Sequence, residues 1–229
     1  VPSPDASFSF DAVLFDLDGV LIDSEGLSGQ VLLSLLGEHA LPFTHEEFSR
    51  RAVGASFPVL FEGLERDFGW VRPNGIDARI DAGLAAALTS VPAIEGAADT
   101  LRALARRGVP FAVASNSRRD RLDLKLRASG LDVLLDGRSF DSSMVGGRGK
   151  PNPDLYAFAA ASLGVDVTRC LVIEDSVPGA TAGVSAGATV WGLLAGGHVH
   201  PNSALELERA GVQRTLRSHE ELRTSLNLE

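Results

Sequence analysis

A parallel, doubly wound α/β sheet carrying one all-helical insert is the fold this sequence predicts, and three observations predict it. Short apolar runs recur along the chain with helical patterns between them. Several helical patterns stop at a glycine, where a left-handed C-terminal cap belongs. After the first apolar run the alternation stops, and residues 25–90 carry helical patterns and no convincing strand.

Taken in order, Val13-Leu14-Phe15 suits a buried strand, and Asp16-Leu17-Asp18-Gly19-Val20 follows it. The insert then reads as helices around 31–36, 57–68 and 76–88, with a capping box at Thr44-His45-Glu46-Glu47 behind Pro42. Further strands are expected at 111–114, 133–135, 170–173 and 189–194, and helices at 97–107, 118–129, 153–163 and 178–186. Gly108, Gly130, Gly164 and Gly187 close these helices. The expected layout is a core domain of residues 1–24 and 91–229 and an insert of residues 25–90. Two crossings, near 21–25 and 90–94, would join them.

Composition narrows the function. With 229 residues the chain suits one core domain plus an insertion, and 45% hydrophobic residues is ordinary for a globular protein. A formal charge of −9 argues against nonspecific nucleic-acid binding, which needs a basic surface, so an anionic ligand must be met by local positive charge. Lysine occurs only at Lys125 and Lys150, which makes each of them informative. The single cysteine, Cys170, sits in an apolar run, reads as a packed thiol and rules out an internal disulfide. No stretch approaches a membrane span, and Val1-Pro2-Ser3-Pro4-Asp5 reads as a loose polar tail. A cytoplasmic monomer without nucleic-acid or membrane partners is expected.

The chemistry gathers where strands end. Asp16 and Asp18 share a face of the extended chain, and two like charges that close need compensation. A divalent cation with oxygen ligands supplies it, Mg²⁺ being the usual one. Ser115 and Asn116 end the second strand, Glu174 and Asp175 end the one at 170–173, and Lys150 precedes a helix in Gly149-Lys150-Pro151-Asn152-Pro153-Asp154. In a parallel sheet these groups converge at one edge. Hydroxyl, amide, ammonium and carboxylates around a divalent ion suit phosphoryl transfer, with a carboxylate attacking phosphorus. His198 and His200 read as a surface loop, and Trp70 and Trp191 as packing residues.

Asp-x-Asp-Gly-Val, then Ser-Asn, then Gly-Lys-Pro-x-Pro-Asp, then Ile-Glu-Asp-Ser-x-x-Gly is an order that resembles the haloacid dehalogenase superfamily. The four motifs span 16–179. The resemblance implies a Rossmann-like core with a small helical cap, and roles for individual residues. Asp16 would be the nucleophile that forms an aspartyl-phosphate. Asp18 would protonate the leaving group, activate the water, and offer its backbone carbonyl to Mg²⁺. Ser115 and Asn116 would hold phosphate, and Lys150 would bridge nucleophile and phosphate. Asp175 would bind Mg²⁺ directly and Glu174 through water.

Within the superfamily, the run from Asp18 to Glu25 resembles the sugar-phosphate phosphatase and β-phosphoglucomutase branch. Asp18 argues against dehalogenation, whose enzymes lack this second acid. The absence of lysine between Asp16 and Leu124 argues against a cap Schiff base. Ser28 stands where the mutase would carry a histidine, which favours a hydrolase over a mutase. The expected substrate is a small phosphorylated metabolite such as a sugar phosphate, with Arg51, Gly54 and Ser56 in the cap's substrate loop. A β-phosphoglucomutase-like phosphotransferase is the second enzymatic reading, and a phosphate-ligand-binding regulator without turnover is the alternative from another class.

Overall fold

The computed structural model describes residues 9–37, 57–197 and 199–228. Strand β1 (Ala12–Phe15) is followed by helices α1 (Ser24–Gly37), α2 (Phe57–Phe68) and α3 (Ile76–Ala87), then by a 3-10 turn at Leu88–Ser90. Next come α4 (Ala97–Arg106), β2 (Phe111–Ser115), α5 (Arg119–Ser129), α6 (Asp132–Leu135) and β3 (Ser139–Asp141). The chain continues through α7 (Asp154–Ser162), β4 (Cys170–Glu174), α8 (Val177–Ser185), β5 (Thr189–Leu193), α9 (Ser203–Arg209), β6 (Arg214–Leu216) and α10 (His219–Ser225).

Among the described residues the sheet has six strands in the order β3-β2-β1-β4-β5-β6, every neighbouring pair parallel. The chain moves outward from β1 to β3, then returns to lay β4 on the other side of β1. That reversal makes the β1–β4 boundary a switch point, where open parallel sheets place their ligands beyond the strand ends.

Both faces of the sheet are covered, as a parallel sheet requires. Side chains alternate along β1: Val13 and Phe15 join one apolar layer, with Leu101 and Leu104 of α4 and Leu122 and Leu126 of α5. Ala12 and Leu14 join the opposite layer, with Leu155, Tyr156 and Ala159 of α7 and Ala180 and Ala182 of α8. The result is the Rossmann-like α/β core that the sequence predicts. Gly108, Gly130, Gly164 and Gly187 all have positive φ, as the expected caps require.

One predicted strand is wrong. Residues 133–135 belong to the short helix α6, with Val133 exposed and Leu135 buried, and the strand comes later, at β3. A three-residue apolar run cannot distinguish one helical turn from an extended segment. Strand β6 carries no apolar run and escapes the sequence pattern.

The described part of residues 25–90 holds helices and no strand. Leu32, Phe61, Leu64, Trp70, Ile76, Ile80 and Leu84 form an apolar cluster of their own, with the Phe61 and Trp70 rings 5.5 Å apart. Gly83 permits the close approach of α3 to α1, since a Cβ there would lie 2.8 Å from Val31 Cγ1. The two crossings to the sheet are tied together: Ile22 bridges Ala93, the Asp23 amide donates to the Pro92 carbonyl (3.1 Å), and the Ile94 amide donates to that of Leu21 (2.9 Å). The capping box at 44–47 lies outside the described residues. Among the described residues, no helix is long and apolar enough to cross a membrane.

Candidate active site

The site forms where β1 runs out of strand partners. The Asp16 amide still donates to the Ile173 carbonyl of β4 (3.0 Å), and then the chain turns. The Leu17 carbonyl accepts from the amides of Leu21 and Ile22, and the Gly19 amide donates to Ile22. Leu17, Val20, Leu21 and Ile22 are fully buried, so the loop bearing both aspartates is anchored by its apolar residues. His219 of α10 clips it from below, its Nε2 lying 2.8 Å from the Val20 carbonyl and its Nδ1 3.1 Å from Thr100 Oγ1. Burial pushes this imidazole down to about 4. The neutral ring therefore donates from Nε2 to Val20.

Lys150 reaches the first aspartate. Its Nζ donates to Asp16 Oδ1 (2.5 Å) and Glu174 Oε1 (2.7 Å), and lies 4.8 Å from the Tyr156 ring centre. Burial alone would lower the lysine, but the Asp16 and Glu174 carboxylates outweigh it and raise it, so the ammonium is firmly protonated. Asn116 fixes the Lys150 backbone by a reciprocal pair: its Nδ2 donates to the Lys150 carbonyl and its Oδ1 accepts from the Lys150 amide, each at 2.9 Å. Asn116 thus holds the lysine's peptide as well as ending β2. Ser115, buried beside it, accepts the Ser117 amide on Oγ (3.1 Å).

Glu174 is completely buried and accepts five bonds. Oε1 takes Lys150 and the Tyr156 hydroxyl (2.7 Å); Oε2 takes the Asp175 amide, the Ser176 amide and the Ser176 hydroxyl. Ser176 in turn caps α8, its Oγ accepting from the Gly179 amide. Gly179 is required here, because a Cβ would stand 1.7 Å from Glu174 Oε1. The Ser-x-x-Gly spacing is the means by which helix α8 closes onto the glutamate.

Asp16, Glu174 and Asp175 each offer a carboxylate oxygen, all within 4.8 Å of one another. Burial raises the Asp16 carboxyl well above the usual range; Lys150 opposes this, and Glu174, Asp175 and Asp18 add to it. A cation in this position would reverse that rise. The donors are hard oxygens from three carboxylates, a set that fits Mg²⁺. The charges of the cluster agree: Asp16, Glu174 and Asp175 against Lys150 leave two negative charges, which one divalent ion cancels.

The second aspartate has its own set of partners. Asp18 Oδ1 accepts from Lys125 Nζ (2.6 Å) and from the Ser24 hydroxyl, and Oδ2 accepts from the Ser117 hydroxyl (3.1 Å). Lys125 also donates to Ser117 Oγ (2.9 Å). The structure therefore gathers Asp16, Asp18, Ser115, Asn116, Lys150, Glu174 and Asp175 around the ends of β1, β2 and β4. Sequence reasoning missed Lys125, Ser117, Ser24 and Tyr156. For Lys125 a signal existed: it lies with Leu122 and Leu126 on the buried face of α5, where a charged residue needs a partner. Arg51, Gly54, Ser56 and His198 lie outside the described residues. Ser28 donates to the Ser24 carbonyl of its own helix (2.9 Å).

Comparison with known proteins agrees with this geometry. A family model described as haloacid dehalogenase-like hydrolase matches residues 10–187. The bifunctional riboflavin kinase/FMN phosphatase of Arabidopsis thaliana is 32% identical over 183 residues, covering 78% of this chain and 47% of that protein. The 6-phosphogluconate phosphatase of Escherichia coli (strain K12) is 27% identical over 197 residues, covering 83% of this chain and 87% of that protein. Among solved structures, a HAD family hydrolase from Deinococcus radiodurans R1, with bound phosphate and sodium, is 50% identical with a TM-score of 0.90, covering 97% of this chain and 98% of that one.

Proposed function

The chain belongs to the haloacid dehalogenase-like hydrolase family, a phosphoric monoester hydrolase by class, and we propose that it is a Mg²⁺-dependent phosphatase of a small phosphorylated metabolite, acting through an aspartyl-phosphate on Asp16. The observation that carries this reading is the buried Asp16–Lys150–Glu174 ion cluster beside Asp175, with Asp18 two residues from the nucleophile.

Asp16 and Asp175 would hold Mg²⁺ by carboxylate oxygens and Asp18 by its backbone carbonyl. Glu174, both of whose oxygens are already engaged, would act through water. Bound there, the ion would neutralise phosphate charge and polarise the phosphoryl group. The chain's own residues do the rest. The Asp16 carboxylate attacks phosphorus, the bond from phosphorus to the ester oxygen breaks, and the leaving alkoxide takes a proton from Asp18. Water then attacks phosphorus, Asp18 takes its proton, and the bond from phosphorus to Asp16 breaks, which frees phosphate and the carboxylate. Lys150 offsets charge on the nucleophile and the phosphoryl oxygens, and Ser115 and the Asn116 amide orient those oxygens.

Residues 25–90 would act as a cap that excludes bulk water and selects the leaving group. A sugar phosphate or related polyol phosphate is the substrate class, a reading supported by the phosphogluconate phosphatase among the relatives. A hydrolase is preferred to a mutase because Ser28 offers a hydroxyl bound to its own helix where the mutase would use a histidine.

The test is phosphate release from a panel of phosphorylated metabolites with Mg²⁺, including 6-phosphogluconate, hexitol phosphates, FMN and β-glucose 1-phosphate. The expected outcome is catalytic release from at least one, abolished by chelator and restored by Mg²⁺. Release unaffected by chelator, glucose 6-phosphate as the only product, or no release from any ester would overturn the reading.

A further inference from the structure

We propose that Lys125 is a positioning residue for the proton-transfer step: with Ser117 it fixes the carboxyl group of Asp18, which gives its proton to the leaving group and regains one from the attacking water, so that both transfers occur from one held orientation. The proposal rests on the phosphatase reading above and deepens it. Asp18 follows Asp16 on the same loop, and nothing in that loop orients its side chain. The orientation comes from elsewhere. Helix α5 delivers Lys125 Nζ to Oδ1 at 2.6 Å, the segment after β2 delivers the Ser117 hydroxyl to Oδ2 at 3.1 Å, and Lys125 and Ser117 are themselves joined at 2.9 Å. Lysine, serine and aspartate close a ring that grips both carboxylate oxygens, and Ser24 adds a further donor to Oδ1. A carboxylate held at both oxygens cannot rotate without breaking charge-assisted bonds.

Lys125 is well placed for this and for little else. Its side chain is about nine-tenths buried, on the face of α5 that Leu122 and Leu126 bury against the sheet. Its position divides the two lysines of the chain between the two aspartates. Lys150 serves the attacking carboxylate, Lys125 the proton-transferring one. General acid catalysis contributes about 10²–10⁴-fold, and a small misplacement of the acid forfeits a large part of it.

Leaving-group dependence separates positioning from a merely structural ion pair. An aryl phosphate such as p-nitrophenyl phosphate departs with little help from an acid, whereas an alkyl phosphate needs the proton. The value of kcat/KM reports the steps through departure of the leaving group. It would be measured on both esters for wild type, Lys125→Met, Lys125→Arg, Ser117→Ala and Asp18→Asn, with Mg²⁺ saturating. For Lys125→Met the expected loss is roughly 30–100-fold on the alkyl ester and at least about tenfold less on the aryl ester, with partial rescue in Lys125→Arg. Equal losses on both esters, or none, in a variant set where Asp18→Asn shows the selective loss would overturn the role of Lys125. Absence of the selective loss in Asp18→Asn itself would instead overturn the parent reading. Should Lys125→Met fail to fold, Ser117→Ala decides: a smaller selective loss supports the proposal, and a uniform loss or none refutes it.

Discussion

The strand-end region and the helical insert are built on opposite principles. Around the strand ends, charged and polar groups are buried and matched: Asp16, Lys125 and Glu174 lie in the interior, each with named partners, and His219 closes the loop beneath them. Among the described residues of 25–90, no titratable side chain is buried; the interior is Leu32, Phe61, Leu64, Trp70, Ile76, Ile80 and Leu84. Burial of charge is costly unless each group is satisfied, so the first region demands geometry fixed by strand register. An apolar cluster demands only volume and pattern, and tolerates rearrangement. A chemical step that must not vary belongs on the first kind of structure. On the proposed reading, selection among substrates belongs on the second.

The largest effect that would test this contrast is in the insert's own core. Phe61→Ala removes a ring packed on Trp70 and should destabilise the insert by about 3–5 kcal/mol. If the two regions are as distinct as their cores suggest, hydrogen exchange should quicken in α1, α2 and α3 and stay slow in β1, β2 and β4. Equal loss of protection in the sheet would show one cooperative unit and break the comparison.

A smaller effect tests the other side. The imidazole of His219 is pushed down to about 4 by burial, against about 6.5 in the unfolded chain. Its neutral form therefore stabilises the fold in full above about pH 6.5. That contribution, at most about 3 kcal/mol, falls as pH drops through the window from 6.5 to 4. Urea unfolding across this range should show the loss in wild type and a shallower slope in His219→Gln. Identical slopes would mean that the clip on Val20 does not titrate as its surroundings require. The insert contributes no comparable term among its described residues, so its protection factors, with the intrinsic pH dependence of amide exchange divided out, should change little over the same window.

Legibility in the sequence follows the same division. The interior strands β1, β2, β4 and β5 were readable because strands covered on both faces are written as apolar runs. The strands missed or misplaced, β3 and β6, are the two edges of the sheet. Each has three residues, and Arg214 of β6 is exposed. The seven core-motif positions predicted for the site were legible because each stands at a strand end or just before a helix, where polar residues interrupt the apolar pattern. Lys125 was not, because it reaches the site from the middle of a helix, ten positions after Ser115, with no local break to mark it. Only the buried face of that helix and the scarcity of lysine pointed to it. Tyr156 was hidden in the same way, its hydroxyl finding Glu174 from within α7.

Trapping the phosphoryl group on Asp16 is the most direct test of this residue as the nucleophile. In Asp18→Asn an aryl phosphate can still transfer its phosphoryl group without an acid, but water lacks its base, so the intermediate should accumulate. Acid quenching, borohydride reduction and peptide mass spectrometry would then locate it, because reduction of an acyl phosphate leaves homoserine in place of aspartate. Homoserine is expected at position 16, dependent on substrate and Mg²⁺ and absent when Asp16→Asn is added. Homoserine at position 175, or none anywhere while phosphate is still released, would contradict Asp16 as the nucleophile.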